Sequence, residues 1–150
     1  MLADLDAIAG APPSQRETPR LVRLVELFKD HLMLHAWAED TFYYPVIRQN
    51  LSSAPSPLSV SYMDHLDHEH RTIDGYLDRL EGEVKTGPPI PTWLQTYALF
   101  AKGLLAHMKK EEEELFPLSE KLLGADRLEA ISQELEKRRK EAPAVRRHTS

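Results

Sequence analysis

His35-Ala-Trp-Ala-Glu39-Asp40-Thr-Phe-Tyr-Tyr44-Pro45 returns, 72 residues further along the chain, as His107-Met-Lys-Lys-Glu111-Glu112-Glu-Glu-Leu-Phe116-Pro117. Each copy sets a Glu four residues after a His, and an aromatic residue followed by Pro soon after. On a helix, positions i and i+4 lie about 6 Å apart on one face, so the two side chains can grip one ion. At the same offset Pro19 matches Pro91, Leu27-Phe28 matches Leu99-Phe100, and Leu32 matches Leu104. Chance likeness between two amphipathic helices would repeat apolar spacing, but not His, Glu and Pro together.

The repeat reaches upstream as well, since Leu5-Asp6 and Gly10 match Leu77-Asp78 and Gly82. Each half therefore reads as a helical hairpin, and two hairpins make an all-α, up-down-up-down four-helix bundle. Continuing the register puts the counterpart of His70 at position −2, before Met1. A truncated first helix is the consequence.

Punctuation divides the chain accordingly. A long helix is expected from Thr18-Pro19 towards Asn50, kinked at Pro45 because proline leaves the carbonyl four residues earlier without a donor. Ser52 to Pro57 reads as a loop, and Ser59 or Ser61 starts a helix ending near Lys85, ahead of Gly87-Pro88-Pro89. The third long helix starts around Pro91-Thr92, passes Pro117 and ends near Leu123. After Gly124, Asp126-Arg127-Leu128-Glu129 opens an additional C-terminal helix to about Lys140. Residues 1–140 are expected to form one domain, and 141–150, with Pro143, a disordered tail.

Three apolar stripes face the core, and each carries histidine. On the first long helix the stripe is Val25, Phe28, Leu32, His35, Glu39 and Phe42; on the second His70 is the one polar member among Met63, Leu66, Ile73 and Leu77; on the third Tyr97, Phe100 and Leu104 lead to His107 and Glu111. A lone core histidine is ordinary, but three imidazoles and two carboxylates at one level would cost several kcal/mol per uncompensated charge. A bound cation compensates them. The chain has no cysteine, which removes thiolate and iron-sulfur sites and leaves imidazole and carboxylate ligands suited to Fe, Mn or Zn. Paired iron is the first choice inside a helix bundle. The ferritin-like Glu-x-x-His signature is missing; Asp67-x-x-His70 is the nearest approach.

Composition excludes other classes. A net charge of −5 argues against a general nucleic-acid surface, and no apolar run approaches the ~20 residues of a membrane span. Acids near the N-terminus, Asp4 and Asp6, stand where a signal peptide needs a basic start, which points to the cytoplasm.

The two His-x-x-x-Glu blocks ending in Tyr44-Pro45 and Phe116-Pro117, with Glu69-His70 between them, resemble the hemerythrin-like, or HHE cation-binding, family over roughly residues 1 to 123. The resemblance implies a four-helix bundle with an oxo- or carboxylate-bridged di-iron centre that binds oxygen, senses redox state or nitric oxide, stores iron or reduces peroxide. It implies His35, Glu39, His70, His107 and Glu111 as ligands, both glutamates bridging. The family's first-helix histidine would fall before Met1, so either the coding start is misassigned or the site works with fewer ligands. His31, one turn before His35, is a further candidate, and Glu112 an alternative to Glu111.

The expectation is thus a protein that binds two irons, with Zn or Mn as competitors, and takes a small molecule such as O2, NO or peroxide. Two alternatives stand beside it. An open iron position would make it a peroxidase-like or ferroxidase-like enzyme, and a metal-free chain would be a helical interaction module, its groove filled by a second copy in a homodimer.

Overall fold

Every three or four residues along Val60–Thr86 an apolar side chain turns inward, giving the buried row Met63, Leu66, Ile73, Leu77, Leu80 and Val84 with His70 among them. This is α4, and the computed structural model, which describes residues 2–10, 18–51, 57–86 and 90–141, builds the rest of the bundle around it. Before it come α1 (Leu2–Gly10), α2 (Thr18–Ala38) and α3 (Tyr44–Asn50); after it come α5 (Ile90–Lys110), α6 (Phe116–Leu123) and α7 (Ala125–Glu141). Between α2 and α3 lies a π-helical turn, π1 (Glu39–Tyr43), and between α5 and α6 a second, π2 (Glu111–Leu115). The described residues contain no strand, and none of their helices is long and apolar enough to cross a membrane.

Side-chain pairs give the directions of the rods. Glu26 pairs with Lys85, Lys29 with Asp78, and Arg48 with Asp64, so the rod of α2 and α3 runs antiparallel to α4. Thr96 bonds Glu83, His107 meets His70, and Tyr62 bonds Glu114, so α4 and the α5 rod are antiparallel too. The first helix is short, as the repeat register implies: α1 packs on α2, and Asp6 accepts a hydrogen bond from Tyr97 on α5.

Ser59 caps α4, its hydroxyl oxygen accepting from the Tyr62 amide at 3.2 Å. At Pro45 and Pro117 the backbone does not break. The Tyr44 amide bonds the Glu39 carbonyl and the Phe116 amide bonds the Glu111 carbonyl, an i→i+5 step that widens the turn just before each proline. Gly124 ends α6 at φ 88° and ψ 154°. From there α7 folds back over the bundle, burying Ile131 and Leu135 and setting Arg138 4.1 Å over the ring of Phe42. The loop read at Ser52 to Pro57, apart from Pro57 itself, the Gly87-Pro88-Pro89 break and residues 142–150 of the expected tail lie outside the described residues.

The buried side chains form two apolar layers. One holds Val25, Phe28, Leu77, Leu80, Phe100 and their neighbours, with Phe28 and Phe100 edge to face at 5.4 Å. The other holds Tyr43, Tyr44, Ile47, Met63, Leu66 and Leu115, closed by Ile131 and Leu135 from α7. Between the two layers lie the buried polar groups Glu39, His70, His107 and Glu111.

Candidate metal centre

Four side chains from three rods converge at the junction of the layers. Glu39 stands at the start of π1, His70 in the middle of α4, His107 near the end of α5, and Glu111 at the start of π2. They are 1%, 6%, 5% and 4% exposed, respectively. One ligand atom of each lies within 4.8 Å of the other three, close enough to hold one ion. His70 Nε2 is 2.9 Å from His107 Nε2 and 3.1 Å from Glu39 Oε2, and His107 Nε2 is 2.5 Å from Glu111 Oε1.

The outer nitrogens are already engaged. His70 Nδ1 lies 2.8 Å from Asp40 Oδ1, and His107 Nδ1 2.8 Å from Glu69 Oε2. A carboxylate can only accept, so each Nδ1 carries the proton and donates, which leaves both Nε2 lone pairs facing inward. Lys110 fixes the other oxygen of Glu69. Tyr44 stacks on His70 with ring centroids 5.2 Å apart and donates to Glu111 Oε1 at 3.0 Å. The inner face of the cluster is therefore composed of acceptors. Glu39 Oε2, fully buried, has no hydrogen-bond donor among the described residues while His70 Nε2, 3.1 Å away, is unprotonated.

Such a set is filled either by protons or by a cation. Without a cation, burial pushes the His70 imidazole down, but hydrogen bonds to Asp40, Glu111 and Glu39 outweigh it and take its pKa up to about 12. His107 moves the same way, lowered by burial and raised further by Glu111 and Glu69. Burial raises Glu111, and its contacts with His107 and His70 bring it well below the usual carboxylate range. A divalent cation would replace those protons and give the buried Glu39 oxygen a partner in place of the His70 Nε2–H.

A family model for the hemerythrin HHE cation-binding domain matches residues 1–119. The chain belongs to that family. No curated protein and no solved structure matches it significantly. For this hemerythrin-family chain, a buried Glu-His-His-Glu cluster inside a helical bundle indicates metal binding.

The remaining residues singled out in the sequence fall around the cluster. His35 sits on its flank, 41% exposed at the side chain, with Nε2 2.7 Å from Glu39 Oε1. His31 is exposed and lines the cavity beside the cluster. Glu112 is exposed on π2. His65 and His68 are exposed on α4, His65 lying 3.1 Å from Glu69 Oε1. Three residues that sequence reading left out of the ligand set contact it directly: Asp40, Glu69 and Tyr44. Their one sequence signal is adjacency, because Asp40 follows Glu39, Glu69 precedes His70, and Tyr44 closes the first repeated block.

Proposed function

We propose that the chain is a non-haem iron protein of hemerythrin type, holding two irons and binding a small molecule such as O2, NO or peroxide as a sensor or carrier. The observation that carries the reading is the inward convergence of acceptor atoms on Glu39, His70, His107 and Glu111, with both Nδ1 positions tied off by carboxylates. Imidazole mixed with carboxylate in a bundle core suits iron or manganese pairs. Glu39 supports a pair, since its Oε1 faces His35 and its Oε2 faces His70. Glu39, His70, His107 and Glu111, with His35 beside Glu39, would hold the irons. Bound iron would supply an open coordination position and reversible electron transfer. The residues would keep water scarce there, the two apolar layers closing the cluster above and below and Tyr44 presenting a buried hydroxyl to it.

An enzyme acting on peroxide or ferrous iron is the second reading, favoured by a cavity that reaches His70, His107 and Glu111. Turnover lost in His107→Ala would establish it.

Metal analysis with an ultraviolet-visible spectrum on protein made in iron-supplemented medium tests the proposal. The wild type is expected to retain about two irons per chain with oxo-to-iron absorption, and the Glu39→Ala, Glu111→Ala double variant to retain none. Wild-type protein without metal, whose melting temperature ignores both chelator and His107→Ala, would return the chain to the metal-free interaction module.

A further inference from the structure

We propose that the cavity beside the cluster is a binding site for an organic ammonium: a molecule with an apolar body and a protonated amine head, the head paired with Asp74. The inference stands beside the metal reading and does not rest on it.

The cavity lies between α2, α4 and α5 and encloses about 440 Å³. That is within the range of about 300–1,000 Å³ typical of small-molecule sites, whereas a diatomic, close in size to a water at about 30 Å³, would use little of it. Phe28, Leu32, Ile73, Leu104, Leu105 and Met108 supply the walls. Leu105 and Met108 are 53% and 48% exposed, so much of this apolar surface faces outward where it can receive a ligand's body. The short α1 touches α5 at Tyr97, three turns before Met108.

The head follows from charge. Among the described residues that line the cavity there is no lysine or arginine; its ionisable groups are Asp74, Glu111 and the imidazoles of His31, His35, His70 and His107. The His70 and His107 imidazoles are already engaged by Asp40, Glu39, Glu69 and Glu111, so an anionic head would compete with those carboxylates for them, and a neutral body alone would leave Asp74 unused. Asp74 is half-buried, one turn after His70 on the same face of α4, and makes no hydrogen bond or ion pair among the described residues. His70 and Lys29, whose charges reach Asp74, are both engaged elsewhere, His70 by Asp40 at 2.8 Å and Lys29 by Asp78 at 2.6 Å and Glu81 at 3.5 Å. Glu111 is committed to His107 and Tyr44. Asp74 is thus the free carboxylate at an apolar wall, and an ammonium satisfies it by a charge-assisted hydrogen bond while leaving part of its own hydration in place.

Hexylammonium, 1-hexanol and hexanoate, three heads on one body, can be titrated into the protein as purified and followed through the 13C-methyl signals of its methionines. Met108 is expected to shift saturably with hexylammonium, at least tenfold more tightly than with hexanol, and hexanoate to bind weakest. Met63, fully buried in the other layer, should stay still. Asp74→Asn, at a half-buried helical position, should weaken hexylammonium about ten- to a hundredfold and leave hexanol unchanged. Leu105→Trp, narrowing the walls, should weaken all three. The proposal is overturned if hexanol binds as tightly as hexylammonium, if Asp74→Asn changes nothing, or if Met63 moves as much as Met108. Metal content measured on the same sample separates the two ideas: ammonium binding by a metal-free chain leaves this inference standing and removes the iron reading, and the reverse result does the opposite.

Discussion

Asp40 and Glu69 show how a residue outside the ligand set governs it. Each accepts a hydrogen bond from the Nδ1–H of an imidazole on a neighbouring helix, Asp40 reaching from π1 to His70 and Glu69 from α4 to His107. That contact fixes the tautomer and the ring orientation, the two properties that decide whether Nε2 can act as a ligand. Asp40→Ala and Glu69→Ala are each expected to weaken metal binding about 10- to 100-fold in competition against a chromophoric chelator. Both side chains are partly exposed, at 44% and 21%, so helix content should hold. Glu69→Gln should fall in between, since the amide oxygen still accepts from Nδ1. Affinities within twofold of wild type for both alanine variants would reduce these contacts to packing. Sequence periodicity could not name the pair. It sorts residues onto faces of their own helix, and a position next to an inward residue points about 100° away from it; what aims Asp40 at His70 is the placement of α4.

At the scale of elements, the repeat made both long rods legible down to their matching His, Glu and Pro, and the helix limits read at Thr18, Lys85 and Leu123 agree with the structure to within a residue. The π turns were not legible. A proline in a helical pattern announces a missing donor, and a kink is the general response; here the ladder instead shifts to i→i+5 over Glu39–Tyr43 and Glu111–Leu115 and stays helical through both prolines. The same widening starts at each cluster glutamate, so the residue that supplies the carboxylate also gives its carbonyl to the longer bond. Glycine was easier to read. Gly124 adopts φ 88° with ψ 154°, a region an L side chain rarely enters, whereas Gly75 lies in mid-helix with nothing within 4 Å of an added Cβ. Gly124→Ala should therefore destabilise the fold by about 1–3 kcal/mol and loosen α7. Gly75→Ala should stabilise it by about 0.5–1 kcal/mol. Chemical denaturation of the two variants checks both signs, and equal shifts would show that the turn before α7 is under no such constraint.

The whole molecule is a polar layer between two apolar ones, and that arrangement makes its stability depend on what fills the layer. In the metal-free chain the filling is protons. The His70 pKa is raised from 6.5 to about 12 in the fold, so the stability it contributes is fully present below about pH 6.5 and is lost as pH rises towards 12. His107, also raised, acts in the same direction. Glu111, lowered from 4.5, contributes above that pH and loses its contribution as pH falls through its folded value. Taken together, these groups favour the metal-free fold most between about pH 4.5 and 6.5, with up to about 1.4 kcal/mol lost per pH unit for each proton held above that window. A cation reverses the slope, because it binds only the deprotonated ligands and must displace those protons, so its stabilisation grows as pH rises. Melting curves at pH 6.5 and 9.0 should move in opposite directions: down with pH in the presence of chelator, up with pH in saturating metal. Parallel slopes in the two series would mean that the protons on His70 and His107 are not displaced, and that the cluster is a proton-bonded core and not a metal centre.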